Sequence, residues 1–385
     1  MHIAVLKETC PGESRVAMVP ALVPALIKAG HSLAIERHAG AEAGYPDDQY
    51  RDRGARIAAD RDALIEGADA IFMVRGPGCG LSTFCESIDR FKKGQLLIGF
   101  FNPLMAVGVI RQLARQELVI FAMELIPRIS RAQSMDALSS MTSLAGYKAI
   151  LLAANALPKM FPLMMTAAGS LAPAKVFVLG AGVTGLQACA TARRLGALVS
   201  AYDVRPVVRE QVESVGAQFI TLDLPSQSAE DDRGYATAQS EAFHRRQQSE
   251  MTRVIAASDV VVATAGIPGK RAPILITEDM VKAMAPHSVI VDAVAELGGN
   301  CELTEPGKTV VKHGVAIIGI ENLPATLAHH ASQLLAKNIA SLFDHLTDVD
   351  GRLMLNLKEE ITAETLVCRG GEIVNSRVLE AMKGR

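Results

Sequence analysis

Residues 175–185 read KVFVLGAGVTG, and this stretch decides the fold. An apolar run, Lys175 to Leu179, reads as a strand. Gly180, Gly182 and Gly185 follow at GxGxxG spacing, and residues 182–195 read as a helix stopped by Gly196. Three glycines alone are weak. Placed between a strand and a helix they become informative. Gly180 permits a tight turn, Gly182 lets the backbone approach a pyrophosphate, and Gly185 lets the helix pack closely on the strand. The helix N-terminus then offers free N–H groups and the positive end of its dipole to phosphates. A dinucleotide site is expected here. The plainer alternative is a glycine-rich turn without a ligand.

The next strand, residues 198–202, delivers Asp203, 18 positions after Gly185. An acidic side chain there accepts hydrogen bonds from the adenosine ribose and repels a 2′-phosphate, which favours NAD over NADP. Arg205 is the residue that would receive a 2′-phosphate instead. Asp203 as a mere cap of the following segment is the bland alternative.

Outward from this core, residues 217–220, 260–264, 288–291 and 315–318 read as further strands of an α/β series that begins near residue 138. Pro206 suits the first turn of a helix running to about residue 215. Upstream, residues 2–6, 32–36, 70–74, 95–100 and 118–121 read as strands, with a helix over 20–29. This rhythm implies parallel sheets covered by helices. The expected fold class is α/β: two doubly wound, Rossmann-like parallel-sheet domains with an interdomain cleft. The first takes residues 1–137 plus 323–385, the second 138–322. The C-terminal segment, a helix over 326–346 and a hairpin around Gly370-Gly371, is expected to return to the first domain. The polar stretch 223–249 interrupts the sheet order, as a long mobile loop or as an ordinary surface connection.

Of 385 residues, 49% are apolar and 21% charged, enough to bury two cores. Lys and Arg number 39 against 41 Asp and Glu, a net charge of -2 that argues against broad binding to nucleic acid or anionic lipid. With no Trp and 4% aromatics, the cores fall to Ala, Val, Leu, Ile and Met, which suits buried parallel strands. Six scattered cysteines without a CxxC suggest reduced, mostly structural thiols of a cytosolic compartment. The start, MHIAVLKE, has no signal-peptide pattern. Uncharged runs at 160–174 and 176–192 fall short of the roughly 20 residues that span a bilayer. A soluble chain is expected.

Most dehydrogenases move a proton as well as a hydride and need a general acid or base beside the nicotinamide. None of the nine histidines stands in an evident catalytic context. The richest polar cluster is residues 127–136, PRISRAQSMD, followed by Ser139 and Ser140. It joins the two α/β series in sequence and so can line a cleft between them; a solvated linker is the alternative. Its Arg, Gln, Ser and Asp side chains orient polar groups well but shuttle protons poorly at neutral pH. A hydride passed from one nicotinamide C4 to another needs no acid or base, only proximity and orientation.

Over essentially its whole length the chain resembles the NAD(H)-binding alpha, or alpha-1, component of the proton-translocating nicotinamide nucleotide transhydrogenases. The resemblance is carried by Lys7-Glu8, Pro11-Gly12-Glu13, Arg15-Val16-Ala17, the PRISRAQSMD run and residues 164–169, MMTAAG. The glycine turn, Asp203-Val204-Arg205, Gly234-Tyr235-Ala236, Gly298-Gly299-Asn300-Cys301 and Glu305-Pro306-Gly307-Lys308 complete it.

The resemblance implies direct, Re/Si-specific hydride transfer from NADH to NADP⁺ held by a partner subunit, coupled to proton translocation. Arg128, Gln133, Asp136 and Ser139, with Ile129, Ser130 and Arg131, would surround the nicotinamide end, Gln133 facing the incoming NADP(H)-binding domain. Val183, Asp203, Val204, Arg205 and Ala265 would hold the rest of the nucleotide. Gly234 and Tyr235 match a mobile loop that closes over it. It further implies a homodimer on the cytoplasmic side of the inner membrane, attached through membrane-embedded alpha-2 and beta subunits, with no nucleic acid and no metal.

Some residues depart from the pattern. Asp232-Arg233 precede Gly234 where a further Gly is expected, and residues 74–77 and 101–103 differ locally. The runner-up resemblance is alanine dehydrogenase. Arg15 matches its pyruvate site, but Arg75 stands where a Lys is expected and Asn102 where a catalytic His is expected. An Asn cannot relay the proton of reductive amination. A non-enzymatic NAD-binding regulator is the third reading; it would not need Gln133 or Tyr235.

Overall fold

The computed structural model describes residues 1–79, 88–221, 250–267 and 269–383. The chain divides into two units, Met1–Met141 with Pro324–Arg385, and Thr142–Leu323.

The first unit opens with β1 (His2–Val5), β2 (Ser32–Glu36), β3 (Arg56–Ala58), β4 (Ala70–Arg75), β5 (Leu96–Phe100) and β6 (Val119–Ala122). They form a parallel sheet in the order β3-β2-β1-β4-β5-β6. Ile71, Phe72, Leu97 and Ile98 are fully buried, the continuous apolar pattern of strands covered on both faces.

The second unit carries an exposed hairpin, β7 (Met164–Thr166) and β8 (Gly169–Leu171), and then β9 (Lys175–Leu179), β10 (Leu198–Tyr202) and β11 (Gln218–Phe219). β12 (Val260–Ala263), β13 (Val289–Asp292), β14 (Lys308–Lys312) and β15 (Val315–Gly319) complete it. The order is β11-β10-β9-β12-β13-β15-β14, parallel except for the β14 edge. The chain then returns to the first unit. Helix Ala328–His345 leads to β16 (Leu366–Arg369), antiparallel to β6, and β17 (Glu372–Ile373). Both large sheets are open and doubly wound, as the α/β reading requires.

Three elements escape a reading of the sequence. β3 has three residues, β14 alternates with little burial, and every residue of the β7–β8 hairpin is exposed. None offers the apolar periodicity that marks a strand. The expected helix after Pro206 is a 3₁₀ turn, Pro206–Val208, followed by Arg209–Ser214. One expectation fails: Cys10 is disulfide-bonded, so the thiols are not all reduced. Cys79, Cys189, Cys301 and Cys368 are free. The expected mobile loop at 223–249 lies outside the described residues.

Helix Ala137–Ala156 is long and apolar enough to cross a membrane. In this fold its Ala149, Ile150 and Ala153 sit in the core of the second unit.

Candidate functional site

In the second unit β9 lies between β10 and β12, so the strand order reverses beside β9. Ligands of such sheets bind at the carboxyl ends of the strands at this switch point. The glycine turn occupies that place, and its three glycines have three distinct causes. Gly180 has φ +94°, and a Cβ there would lie 2.8 Å from Thr264 Oγ1. A Cβ on Gly185 would lie 1.8 Å from the carbonyl oxygen of Gly180. A Cβ on Gly182 would meet nothing within 4 Å. Gly180 and Gly185 are therefore fixed by the protein itself, whereas Gly182 faces open space where a ligand would approach. Gly182 also precedes helix Val183–Arg194, whose N-terminus it leaves without a side-chain cap. The N–H groups of that first turn are ready for an acceptor. The turn fits a pyrophosphate.

Asp203 follows β10 and is 9% exposed. One carboxylate oxygen accepts the Ala181 N–H at 2.7 Å, inside the glycine turn. The same carboxylate receives the Arg205 guanidinium, Nε at 2.9 Å and Nη2 at 3.0 Å, and the Arg205 N–H at 2.9 Å. Asp203 thus holds both the turn and the neighbouring arginine, with half-buried Val204 between them.

Ala265 follows β12. Its N–H donates to Asn300 Oδ1 at 2.9 Å, and Asn300 Nδ2 donates back to its carbonyl at 2.9 Å. Asn300 is fully buried and also donates to Pro273 O. The sequence gives Asn300 no role beyond the family resemblance; in the structure it fixes the loop that faces the glycine turn. Gly146 is a second residue that sequence reasoning misses. A Cβ on it would lie 2.1 Å from Thr184 O, so this glycine lets helix Ala137–Ala156 meet the first turn of the nucleotide helix. A glycine inside a strong helical pattern is the available signal.

The PRISRAQSMD run belongs to the first unit. Residues Ser130–Met135 form a 3₁₀ helix anchored by buried Ala132 and Met135. Arg128, Ser130, Arg131 and Gln133 are exposed or half-buried at the surface, and Ile129 is half-buried. Asp136 accepts from Ser139 twice, from its N–H at 2.8 Å and its hydroxyl at 2.6 Å. That geometry caps the helix beginning at Ala137. The structure therefore groups Gly180, Gly182, Val183, Gly185, Asp203, Val204, Arg205 and Ala265 in one unit. It groups Arg128, Ile129, Ser130, Arg131, Gln133, Asp136 and Ser139 in the other. Gly234 and Tyr235 lie outside the described residues. Among the described residues no group of His, Cys, Asp and Glu is arranged to hold a metal.

The first unit has its own switch point, between β1 and β4. Glu8 accepts the N–H groups of Val74, at 2.7 Å, and Arg75, at 3.1 Å. Burial, helped by the negative charge of Glu13, pushes its carboxyl up to about 8. The fully buried Glu13 carboxylate grips Arg15 at 2.7 and 2.6 Å and Arg75 Nε at 3.1 Å. Both arginines of the would-be pyruvate site are held by Glu13. Asn102, at φ +48°, is pinned through its N–H by Glu124.

An open, doubly wound sheet with a glycine turn at its switch point and an acidic residue ending the next strand defines a dinucleotide-binding, Rossmann-type protein. The chain belongs to the alanine dehydrogenase/PNT family. Residues 4–145 match the family's "Alanine dehydrogenase/PNT, N-terminal domain" and residues 149–376 its C-terminal domain. The chain is 44% identical to the first section of the split NAD(P) transhydrogenase subunit alpha of Rhodospirillum rubrum, over 97% of this chain and 98% of the relative. A solved transhydrogenase from Sinorhizobium meliloti superposes with a TM-score of 0.85 at 40% identity, covering 97% of this chain and all of the other. A solved L-alanine dehydrogenase superposes at 0.80 with 25% identity, covering 100% and 99%. These likenesses support NAD(H) binding and the role of a transhydrogenase alpha subunit.

Proposed function

We propose that this chain is the NAD(H)-binding subunit of a proton-translocating, Re/Si-specific transhydrogenase. It presents NADH for direct hydride transfer to NADP⁺ on a partner subunit, and membrane-embedded alpha-2 and beta subunits couple the transfer to proton movement. The observation that carries the reading is the open Gly182 cradle at the switch point, closed on one side by Asp203. NADH, when bound, supplies the hydride from its C4. The Gly182 and Val183 N–H groups hold the pyrophosphate, Asp203 and Arg205 select the adenosine ribose, and Ala265 supports the far side. Arg128, Gln133, Asp136 and Ser139 orient the nicotinamide end, and Tyr235 closes over it. In the step itself one C–H bond breaks with its electron pair and another forms. No proton moves, so orienting groups suffice.

Two further observations support this reading. Glu13 already occupies Arg15 and Arg75, and Asn102 replaces a proton-relaying His, which disfavours the alanine dehydrogenase alternative. The β7–β8 hairpin exposes Met165 (75%) and Leu171 (49%), apolar surface that favours a homodimer. The place of action is the cytoplasmic face of the inner membrane, reached through the partner subunits. The test is reconstitution with a transhydrogenase NADP(H)-binding component and assay of transfer from NADH to an NADP⁺ analogue. Turnover only with the partner supports the proposal. Alanine oxidation by the chain alone overturns it.

A further inference from the structure

The returning C-terminal segment packs helix Ala328–His345 against the 3₁₀ helix Ser130–Met135 within the first unit. The buried face of the long helix is apolar except for Ser332 and Asn338. Ser332 is well satisfied: its hydroxyl donates to Ala328 O and accepts the Val16 N–H. Asn338, 5% exposed, differs. Its Nδ2 donates to the carbonyl of Ser134 at 2.8 Å, while its Oδ1 is buried with no hydrogen-bond partner among the described residues. Only the NH₂ end can donate to a carbonyl, so the orientation is set by that contact.

A leucine of similar size would fill this position without stranding a buried acceptor. What asparagine adds is a directional hold on the backbone next to Gln133. A second tie from the same segment, Arg131 to Glu359 at 3.3 Å, involves an arginine that is 63% exposed. Such exposed pairs hold weakly.

We propose that Asn338 is the positioning residue of the nicotinamide loop. Through the Ser134 carbonyl it fixes the place of Gln133, and so governs the rate of hydride transfer rather than nucleotide affinity or global stability. The inference rests on the transhydrogenase reading. A misplacement of about 1 Å can cost on the order of 100-fold in rate.

The test compares wild type with Asn338→Leu and Asn338→Asp by four readouts: thermal melting, NADH titration, tryptic cleavage after Arg131, and transfer to an NADP⁺ analogue with the partner component. Asn338→Leu is expected to melt at or above wild type and to bind NADH within about twofold of it. It is expected to be cleaved faster after Arg131 and to transfer at least about tenfold more slowly. Asn338→Asp, an acceptor-only isostere when ionised, is expected to be slow in the same way, and it carries the test if the leucine variant does not fold. Wild-type rate in a variant overturns the inference. So does a rate loss matched by equal losses of melting temperature and NADH affinity, which is the signature of a merely structural residue. If wild type itself does not transfer, the functional reading fails instead. Cleavage after Arg131 then still decides the hold: faster cleavage supports it and unchanged cleavage overturns it.

Discussion

Arg205 turns back onto Asp203 and forms a two-pronged ion pair with the carboxylate that also anchors the Ala181 N–H of the glycine turn. The residue that disfavours a 2′-phosphate thus also restrains the arginine best placed to accept one. Asp203→Ala should do two things. NADH affinity should fall by roughly 10- to 100-fold, since a hydrogen bond to a charged group contributes about 1.5–3 kcal/mol. NADPH affinity should hold or rise, because Arg205 is released. Parallel titrations of both nucleotides check this, and equal losses for both would remove Asp203 from discrimination.

The three glycines of the turn should separate under mutation. Gly182→Val places a Cβ that meets nothing within 4 Å, so its stability should stay within about 0.5 kcal/mol of wild type while NADH binding is lost. Gly185→Ala puts a methyl 1.8 Å from a backbone oxygen and should cost about 1–3 kcal/mol in stability. Denaturant melts and NADH titrations of both variants test the pair. Nucleotide binding retained by Gly182→Val would move the pyrophosphate elsewhere.

Asp136 and Gln133 should likewise part company. Asp136→Ala removes a helix cap and should cost about 1 kcal/mol in stability. Gln133→Asn alters an exposed side chain; its stability and NADH affinity should barely change, while transfer with the partner slows markedly. Equal losses of affinity and rate in the glutamine variant would make Gln133 an anchor rather than an orienting group.

Two buried carboxyls set a pH dependence. Burial, with Glu13 adding to it, raises Glu8 to about 8, and burial raises Glu124 to about 7. Glu124 Oε2 is buried without a hydrogen-bond partner among the described residues. Both values lie above the ordinary 4.5, so the folded state holds these protons more tightly. Their stabilising contribution is full below about 4.5 and is lost as pH rises through about 7 to 8. Glu8→Gln, a neutral isostere, should flatten the fall in melting temperature between these limits and raise stability at the alkaline end. Parallel melting curves for variant and wild type across this range would contradict it.

The sheet order is legible in the sequence because buried parallel strands announce themselves as apolar runs, such as Val176–Leu179 and Val260–Ala263, punctuated by glycine. The roles of the glycines at 180, 182 and 185 can be assigned in advance because each follows from steric need. Other features cannot. The Asp203–Arg205 pair, the Asn300 clip on Ala265 and the Asn338 hold on Ser134 are contacts between side chains and distant or folded-back groups. No local pattern encodes them. Gly146 is visible as an oddity in a helix, but its partner, Thr184, lies on another helix. The Glu13 grip on Arg15 and Arg75 changes the meaning of two residues that sequence alone presents as a would-be carboxylate site.

The most direct test of the central claim uses NADH carrying deuterium at the transferable C4 position, mixed with this chain, a transhydrogenase NADP(H)-binding component and NADP⁺. The account predicts that the label appears in NADPH, with no loss to water. Label found in solvent, or unlabelled NADPH, would mean that the hydride does not pass straight between the two nicotinamides.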